Sequence, residues 1–332
     1  METPGLFDLQ VNGYAGVDFN DPGLTPAALD HALEVLFSDG VTGLLPTIIT
    51  GHPETLAQRF AALDQAVRQS RLGPAMVPGY HLEGPFLNPA DGYRGCHDTE
   101  AMTDPLPGLI PDLETDLSRP ILLITLAPER RGGRQAIATL AAAGKTLAIG
   151  HSAALFDEVA AAATAGATIS THLGNGLPQM LPKLENTLLA QLAEPRLSAC
   201  LIADGHHIPR KALAALVRLK GAENCLLVSD AVAAAAAPPG RYPFAGMEIL
   251  HDEEGRATRP DRAGLAGSAL RLDQAVRNMV DWDIVKPRQA IRMAGDLPRR
   301  VLARSLQHHA ITLDPGVIAW DSALKPTPRK PA

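Results

Sequence analysis

Eight apolar segments of strand length alternate along this chain with segments of helical periodicity. The predicted strands are 6–11, 41–48, 75–81, 121–126, 146–149, 167–170, 197–203 and 225–228. Such alternation favours parallel strands that are joined by helical crossovers. The 332 residues are enough for a barrel of this kind, which takes roughly 250. The sequence therefore predicts an α/β fold, a (β/α)8 TIM barrel.

The remaining segments complete this expected domain. The predicted helices are 26–37, 54–71, 134–143, 157–165, 184–192, 209–220, 268–281 and 287–304. Residues 238–264 have the pattern of a loop or hairpin. The chain from Lys325 is rich in Pro and Lys and is predicted to be disordered. We expect one barrel domain over residues 1–316 and a short C-terminal tail over 317–332.

Polar side chains follow several predicted strands where each strand ends. Glu83, His151 and His172 follow the third, fifth and sixth strands. Barrel active sites lie at the carboxyl ends of the strands. Two neutral imidazoles and one carboxylate leave a fourth position open on a catalytic zinc ion. These residues are candidate metal ligands, and the alternative is a set of hydrogen-bonded structural groups.

Asp230 follows the eighth predicted strand. A carboxylate beside an activated water can take its proton and pass it to a leaving amine. The alternative is a helix N-cap, a position that Asp favours, because the Ala-rich segment 231–237 follows it.

Two further stretches contain candidate ligand-binding histidines. His97 lies in a Gly-rich loop, where mobile binding residues are common, and a solvent-exposed loop residue is the alternative. His206 and His207 follow the seventh strand, and their adjacency means that only one of them faces a given ligand easily.

A glycine-rich turn after His172 is a candidate anion site. Asn175 and Gly176 could offer backbone N–H groups to an anion, or they form a simple turn. Lys183 follows nearby, and a solvated surface charge is its alternative role.

Composition and charge exclude several classes of partner. The net charge is −6 and is spread along the chain, so neither nucleic acid nor an anionic membrane is expected. The three cysteines have no CxxC spacing, which fits a reducing compartment. The first residues lack a signal-peptide pattern, and no apolar run approaches the ~20 residues of a membrane helix. We expect a cytoplasmic protein.

A set of short motifs gives a family resemblance. The motifs are DLQVNG at 8–13, HLEGPFLN at 81–88, GCH at 95–97, GHS at 150–152, THLGN at 171–175, ADGHH at 203–207, SDA at 229–231 and LAGS at 265–268. In these stretches the chain resembles the N-acetylglucosamine-6-phosphate deacetylases of the amidohydrolase superfamily. The resemblance covers about residues 6–300 and implies a (β/α)8 barrel, usually with a small β-sandwich made from both termini.

The resemblance also implies roles for individual residues. Glu83, His151 and His172 resemble the metal ligands, and Asp230 resembles the catalytic acid/base. A contact to the sugar or acetyl group is implied for His97. Substrate and phosphate contacts are implied for the backbone of Asn175 and Gly176 and for the side chain of His207.

Three departures from the family pattern change the expectations. The chain begins almost at the first strand and its C-terminal extension is short, so the β-sandwich is expected to be largely missing. Lys183 stands where relatives often carry a phosphate-binding Arg, and Lys binds phosphate without the bidentate fork of Arg. The two residues after Asn175, Gly176 and Leu177, replace the usual Ala-Met.

The expected reaction is removal of acetate from an N-acetyl amino sugar, with N-acetylglucosamine 6-phosphate as the expected substrate. The departures keep two alternatives open: an amidohydrolase acting on an unphosphorylated N-acyl compound, and a catalytically silent sugar-binding barrel. The resemblance further implies a possible homodimer, because relatives are dimers in which a neighbouring subunit can reach the phosphate site.

The first strand predicts the metal count. Family members with His-x-His at its end can hold a second ion, whereas this chain has Gln10 and Asn12 there. Neutral amides are poor zinc ligands. We expect about one divalent ion, zinc, per purified chain, measured by elemental analysis. A stoichiometry near two, with both ions needed for activity, would contradict this expectation.

Overall fold

The computed structural model describes residues 1–261 and 264–329, and its centre is one sheet of eight strands. The strands are Leu6–Val11, Val41–Ile49, Tyr80–Glu83, Ile121–Leu126, Thr146–Ile149, Ala167–Ser170, Ser198–Leu201 and Cys225–Leu227. Every neighbouring pair is parallel and follows chain order. A parallel bridge between Val11 and Ala231 joins the first strand to the segment after the eighth. The predicted TIM barrel is confirmed.

The helices surround the barrel. They are Pro26–Ser38, Pro53–Gln69, Gly73–Met76, Leu109–Glu114, Gly133–Ala142, Phe156–Ala165, Thr187–Ala193, Arg210–Lys220, Leu272–Asp281, Pro287–Ala294 and Asp296–His308. Short 3₁₀ turns occupy Thr99–Ala101 and Ala222–Asn224. Within the described ranges, no helix combines the length and hydrophobicity that crossing a bilayer requires.

The barrel strands are buried on both faces. All nine residues of Val41–Ile49 and all six of Ile121–Leu126 are buried. Parallel strands that are covered by helices outside and side chains inside read as continuous apolar runs. This is why simple apolar runs predicted most of the strands.

Two element boundaries differ from prediction because of proline and glycine. The third strand begins at Tyr80, not at residue 75, because Pro74 lies in the first turn of a short helix that ends at Met76. The predicted helix 287–304 is two helices separated at Gly295. Pro298 has no N–H and would clash with the carbonyl four residues earlier in a continuous helix.

Two other helices start later than predicted. The predicted helix 184–192 is observed at Thr187–Ala193, where the Asn186 side chain caps the backbone N–H of Leu189. The predicted helix 268–281 starts at Leu272, since Ser268 pairs with Ala231 at the barrel rim instead. The start of this second helix is therefore determined by a bridge between residues far apart in sequence.

Three small antiparallel sheets flank the barrel among the described residues, and the smallest pairs Gly13–Tyr14 with Val17–Asp18. Gly240–Phe244, Met247–His251 and Ala257–Thr258 form the hairpin region expected over 238–264, of which residues 262–263 lie outside the described residues. Glu2–Pro4, Val317–Trp320 and Pro326–Pro328 form a second sheet. The predicted disorder from Lys325 is therefore wrong for Pro326–Pro328, while residues 330–332 lie outside the described residues.

A carboxylic acid is buried in the first barrel strand. Asp8 is fully buried and accepts hydrogen bonds from the backbone N–H groups of Gln10 (3.2 Å) and Ser229 (3.3 Å). Burial raises the pKa of Asp8 from 3.8 to about 7, and the charge of Asp230 adds to this. The folded protein therefore binds a proton that the unfolded chain releases between these two values, so stability falls as the pH rises through this window.

Replacing Asp8 by Asn should remove this pH dependence. Asn keeps the shape and one accepting oxygen but has no charge to bury. The unfolding free energy of Asp8→Asn relative to wild type should rise by roughly 3 kcal/mol between about pH 5 and about pH 8, as the pKa difference implies. Urea-induced unfolding at both pH values measures it. If the unfolding free energies of Asp8→Asn and wild type differ by the same amount at both pH values, Asp8 of the folded protein is already ionised at the lower pH.

Candidate active site

The ends of four barrel strands bring predicted site residues together. Glu83 is the last residue of the third strand. His151 and His172 each follow their strand by two residues, and Asp230 follows the eighth strand by three. The ring centroids of His151 and His172 are 4.9 Å apart. The convergence that parallel strands predict is present in the structure.

The Glu83 carboxylate is the centre of this cluster. Its Oε1 lies 2.9 Å from His172 Nε2 and 3.4 Å from His151 Nε2. Its Oε2 lies 3.8 Å from Nε2 of His97, which the loop after the third strand carries inward. The potential ligand atoms of Glu83, His97 and His151 all lie within 4.8 Å of one another. Three buried histidines therefore surround one carboxylate, and the mutually close set contains His97 where the predicted ligand set has His172.

The hydrogen bonds of His151 test whether this cluster suits a cation. Its Nδ1 lies 2.6 Å from the carbonyl oxygen of Tyr93, which can only accept. Nδ1 therefore carries the hydrogen, and in the neutral ring Nε2 presents a lone pair to Glu83. Two acceptors 3.4 Å apart repel unless a cation or a proton lies between them. Histidines that bind metals typically donate from their other ring nitrogen to a carbonyl or carboxylate oxygen in this way, so the residues fit a divalent ion.

The pKa shifts favour an anionic Glu83 and a neutral His97, whereas for His172 the hydrogen bond and charge of Glu83 outweigh burial and raise the pKa. Burial alone would raise the pKa of Glu83, but its contacts with His151 and His172, which a proton or a cation can bridge, bring it well below its usual range. Burial and the neighbouring His151 lower the pKa of His97 to about 3. The carboxylate is thus anionic and the His97 imidazole neutral near pH 7, as metal binding requires.

The backbone is unusual at three of these residues. His151, His172 and Asp230 have φ values of 50°, 26° and 51°, in the left-handed region that side chains disfavour. Such conformations cost about 1–3 kcal/mol each and cluster at functional sites. Gly176 makes room beside them, since a Cβ there would lie 2.6 Å from His151 Nδ1.

Asp230 is a buried carboxylate with one hydrogen-bond donor among the described side chains. The Nδ2 of Asn12 lies 2.8 Å from its Oδ1. Burial, with the charge of Glu83 as the next cause, raises the pKa of Asp230 to about 6. The helix N-cap alternative is wrong, because the next helix within the described ranges begins only at Leu272. A pKa near neutrality suits an acid/base group.

A cavity of about 600 Å³ contains the site. Its lining includes most of the predicted residues: Glu83, His97, His151, His172, Asn175, Gly176, His207 and Asp230. His97 is buried, with its Nδ1 2.8 Å from Thr50 Oγ1, so the exposed-loop alternative is wrong. Lys183 is exposed and is not among the lining residues.

The two adjacent histidines have different hydrogen-bond partners, although both line the cavity. His207 Nδ1 lies 2.6 Å from Asp204 Oδ2 and the side chain is almost buried. His206 is exposed and its Nε2 lies 2.9 Å from the carbonyl oxygen of Glu254. The backbone N–H of Asn175 donates to the His172 carbonyl oxygen at 3.0 Å. That N–H is therefore engaged within the turn, although Asn175 lines the cavity.

Other cavity residues were not predicted as site residues. Arg94 and Arg259 line the cavity, as does Phe244 of the hairpin. Arg94 directly precedes the GCH motif, which is a signal that could have identified it. Arg259 and Phe244 have no local sequence signal. His81, by contrast, lies between Thr47 and Thr125 hydroxyls in the core and is structural.

Known proteins resemble this chain over nearly its whole length. The N-acetylgalactosamine-6-phosphate deacetylase of Escherichia coli O157:H7 is 36% identical over 328 residues, which is 97% of this chain and 84% of that protein. The N-acetylglucosamine-6-phosphate deacetylase of Lysinibacillus sphaericus is 32% identical, over 83% of this chain and 70% of that protein. No protein-family model matches the chain.

The chain belongs to the N-acetylglucosamine-6-phosphate deacetylase family. Solved structures agree with this assignment. A Mycobacterium smegmatis N-acetyl-D-glucosamine-6-phosphate deacetylase mutant in complex with N-acetyl-D-glucosamine-6-phosphate superposes with a TM-score of 0.86 at 27% identity, over 98% of this chain and 84% of that one. The predicted family resemblance is confirmed.

The metal content of purified variants should distinguish metal ligands from other catalytic residues in this deacetylase-family site. We expect His151→Ala and His172→Ala to lose both metal and turnover, because each removes an imidazole facing Glu83 Oε1. Asp230→Asn and His97→Ala should keep the metal and lose turnover. Elemental analysis and acetate release measure the two properties.

His206→Ala is the matched control, since this exposed histidine does not contact Glu83. It should keep the metal. Loss of metal from His97→Ala but not from His172→Ala would assign the third ligand to His97 instead.

Proposed function

We propose that this protein hydrolyses the acetamido group of an N-acetylated hexosamine 6-phosphate, with N-acetylglucosamine 6-phosphate as substrate and glucosamine 6-phosphate and acetate as products. One observation carries the proposal: Glu83, three histidines and Asp230 meet in one cavity at the strand ends of a barrel whose relatives are deacetylases of such sugars.

Glu83, His151 and His172 would hold one divalent ion, which we propose to be zinc. The donor set of one carboxylate and two imidazoles is typical of catalytic zinc. His151 and His172 approach the same Glu83 oxygen at 3.4 and 2.9 Å, spacings close to those between ligands of one small ion. When bound, the ion polarises the acetyl carbonyl and lowers the pKa of water to roughly 7.

Asp230 would act as the acid/base. Its carboxylate takes the proton of the attacking water and then delivers it to the departing amine nitrogen, so the group returns to its starting state. A pKa of about 6 leaves it mostly ionised near pH 7 yet close enough to return the proton.

His97 would place the acetyl group. The ring is neutral because burial and His151 lower its pKa to about 3. Thr50 Oγ1 fixes its Nδ1 at 2.8 Å, so that Nε2 faces the Glu83 side of the cavity. A fixed neutral imidazole can orient the carbonyl and stabilise the negative charge that develops on its oxygen.

We propose that the phosphate lies at the cavity wall that contains Arg94, Arg259 and His207. The guanidinium groups offer forked donors that suit phosphate, and both line the cavity. Each pairs with an acidic neighbour, Asp91 or Asp261, at 3.0 Å, which leaves other donors of each fork for an anion. Gly176 adds a backbone group, and Lys183 remains a proposed contact from outside the lining.

A second substrate has a specific observation in its favour. Two relatives, from Escherichia coli O157:H7 and Shewanella sp., are 36% and 33% identical to this chain and are N-acetylgalactosamine-6-phosphate deacetylases. The two sugars differ only in the configuration at C4. N-acetylgalactosamine 6-phosphate is therefore the second candidate substrate, with the same residues performing the chemistry.

Four further expectations are kept as proposals. We propose a homodimer, supported by the exposed Met180 and Leu184 in the loop near Lys183, which a second subunit could cover. A cytoplasmic location is supported by three free cysteines. The barrel domain over 1–316 is supported by the last barrel helix, which ends at His308. The short tail pairs with Glu2–Pro4 in one three-stranded sheet, and the small size of this sheet supports the near-absence of the β-sandwich.

Acetate release from a panel of sugars tests the function. N-acetylglucosamine 6-phosphate, N-acetylgalactosamine 6-phosphate and their unphosphorylated forms are the substrates. Wild type should prefer a phosphorylated sugar. Because a charge-assisted hydrogen bond contributes about 1.5–3 kcal/mol, Arg259→Ala should lower kcat/KM roughly ten- to a hundred-fold on the phosphorylated sugars and little on the others.

Lys183→Ala is the comparison variant. An effect confined to phosphorylated sugars would retain Lys183 as a phosphate contact. If wild type prefers an unphosphorylated sugar, the phosphate assignment is wrong. Absence of acetate release from every sugar by the metal-loaded protein would favour the silent barrel.

A further inference from the structure

Asn12 and Asp230 meet at the seam where the barrel closes. Asn12 directly follows the first strand and Asp230 follows the eighth, so the two are 218 positions apart in sequence. Asn12 Nδ2 lies 2.8 Å from Asp230 Oδ1, and both residues are buried and line the active-site cavity. Closure of the barrel therefore places the neutral amide donor of Asn12 beside Asp230, the proposed acid/base.

The position of Asn12 is fixed from both sides. Its backbone N–H donates to the carbonyl oxygen of Ala231 at 2.7 Å, and its own carbonyl oxygen accepts from the N–H of Phe19 at 2.9 Å. Val11, the preceding residue, forms the parallel bridge with Ala231. Asn12 is thus attached to the backbone that immediately follows Asp230, so its amide has little freedom relative to the carboxylate.

Asp230 depends on such a partner for its orientation. Its φ of 51° places the side chain outside regular strand geometry. Across residues 1–261 and 264–329, Asn12 is the hydrogen-bond donor that this carboxylate has. This hydrogen bond therefore restricts rotation of the carboxylate about its side-chain torsions.

The chemistry of the amide determines which way it faces. An ionised carboxylate only accepts, so Nδ2 must face Asp230. The Asn12 Oδ1 is buried and has no partner among the described residues. A buried polar atom without a partner costs free energy, so the amide is held in this orientation by the Asp230 contact and not by a second bond.

We propose that Asn12 is a positioning residue, which holds the Asp230 carboxylate in the orientation needed for proton transfer. This inference rests on the acid/base role proposed for Asp230. It gives a function to a buried amide that is a poor ligand for zinc.

Kinetics of Asn12→Ala and Asn12→Asp test the proposal on the best substrate of the panel. We expect kcat to fall about ten- to a hundred-fold with KM changed less than about threefold, because a charge-assisted hydrogen bond to the reacting group is lost. The acid limb of the pH profile should move to higher pH, further for Asn12→Asp, which adds a second carboxylate. The charges of Glu83, His172 and His207 also act on Asp230 and are unchanged in both variants.

Asn20→Ala is the matched control. Asn20 is an equally buried amide whose side chain bonds to the Thr47 carbonyl oxygen and the Ile49 N–H, both at 2.9 Å, and not to Asp230. Its Nδ2 also donates to the Asn12 carbonyl oxygen at 3.5 Å, so its loss loosens the backbone around Asn12 while the Asn12 amide donor stays in place. It should lose stability without a shift of the acid limb. An equal shift in this control would show that the effect is general loosening and would overturn the proposal.

A crystal structure of Asn12→Ala tests the inference without any substrate. The Asp230 carboxylate should rotate away from its wild-type position or occupy several rotamers. If it keeps that position, and kcat changes less than about twofold, the proposal is overturned. Because this measurement needs no turnover, failure of the proposed deacetylase activity is distinguished from failure of the positioning role.

Discussion

Closure of the barrel between the first strand and the segment after the eighth is the constraint on which the site depends. The Val11–Ala231 bridge and the bond from Asn12 N–H to the Ala231 carbonyl oxygen bring the two ends of the sheet together. The parallel strands have their carboxyl ends at one edge, and closure bends this edge into one mouth, where Glu83 and Asp230 share a cavity. An open sheet of the same strands would leave Asp230 at one edge, far from the histidines.

The buried charge at this mouth has electrostatic consequences. Glu83 is fully buried yet anionic, because histidine contacts more than offset the cost of burial. Its charge in turn raises the pKa of Asp230, after burial itself. Two carboxylates in one cavity thus acquire different pKa values, the pattern expected where one holds a cation and the other moves a proton.

Side chains from distant segments enclose the cavity. The hairpin contributes Phe244, and its tip at Ala245 is held by the Asp18 carboxylate and the Arg59 guanidinium. Arg94 comes from the loop after the third strand and Arg259 from the hairpin region. These contributions do not depend on the barrel strands, so substrate preference can vary while the cluster around Glu83 remains.

The sequence by itself determined the fold and most of the site. Apolar runs and their polar ends predicted the barrel and the convergence of Glu83, His151, His172 and Asp230, because parallel strands place their ends at one face. Only the tertiary structure decided three things: the approach of His97 to Glu83 Oε2, the exposure of Lys183 and the Asn12–Asp230 contact. These depend on loop conformation and ring closure, which act over long sequence separations that local periodicity does not encode.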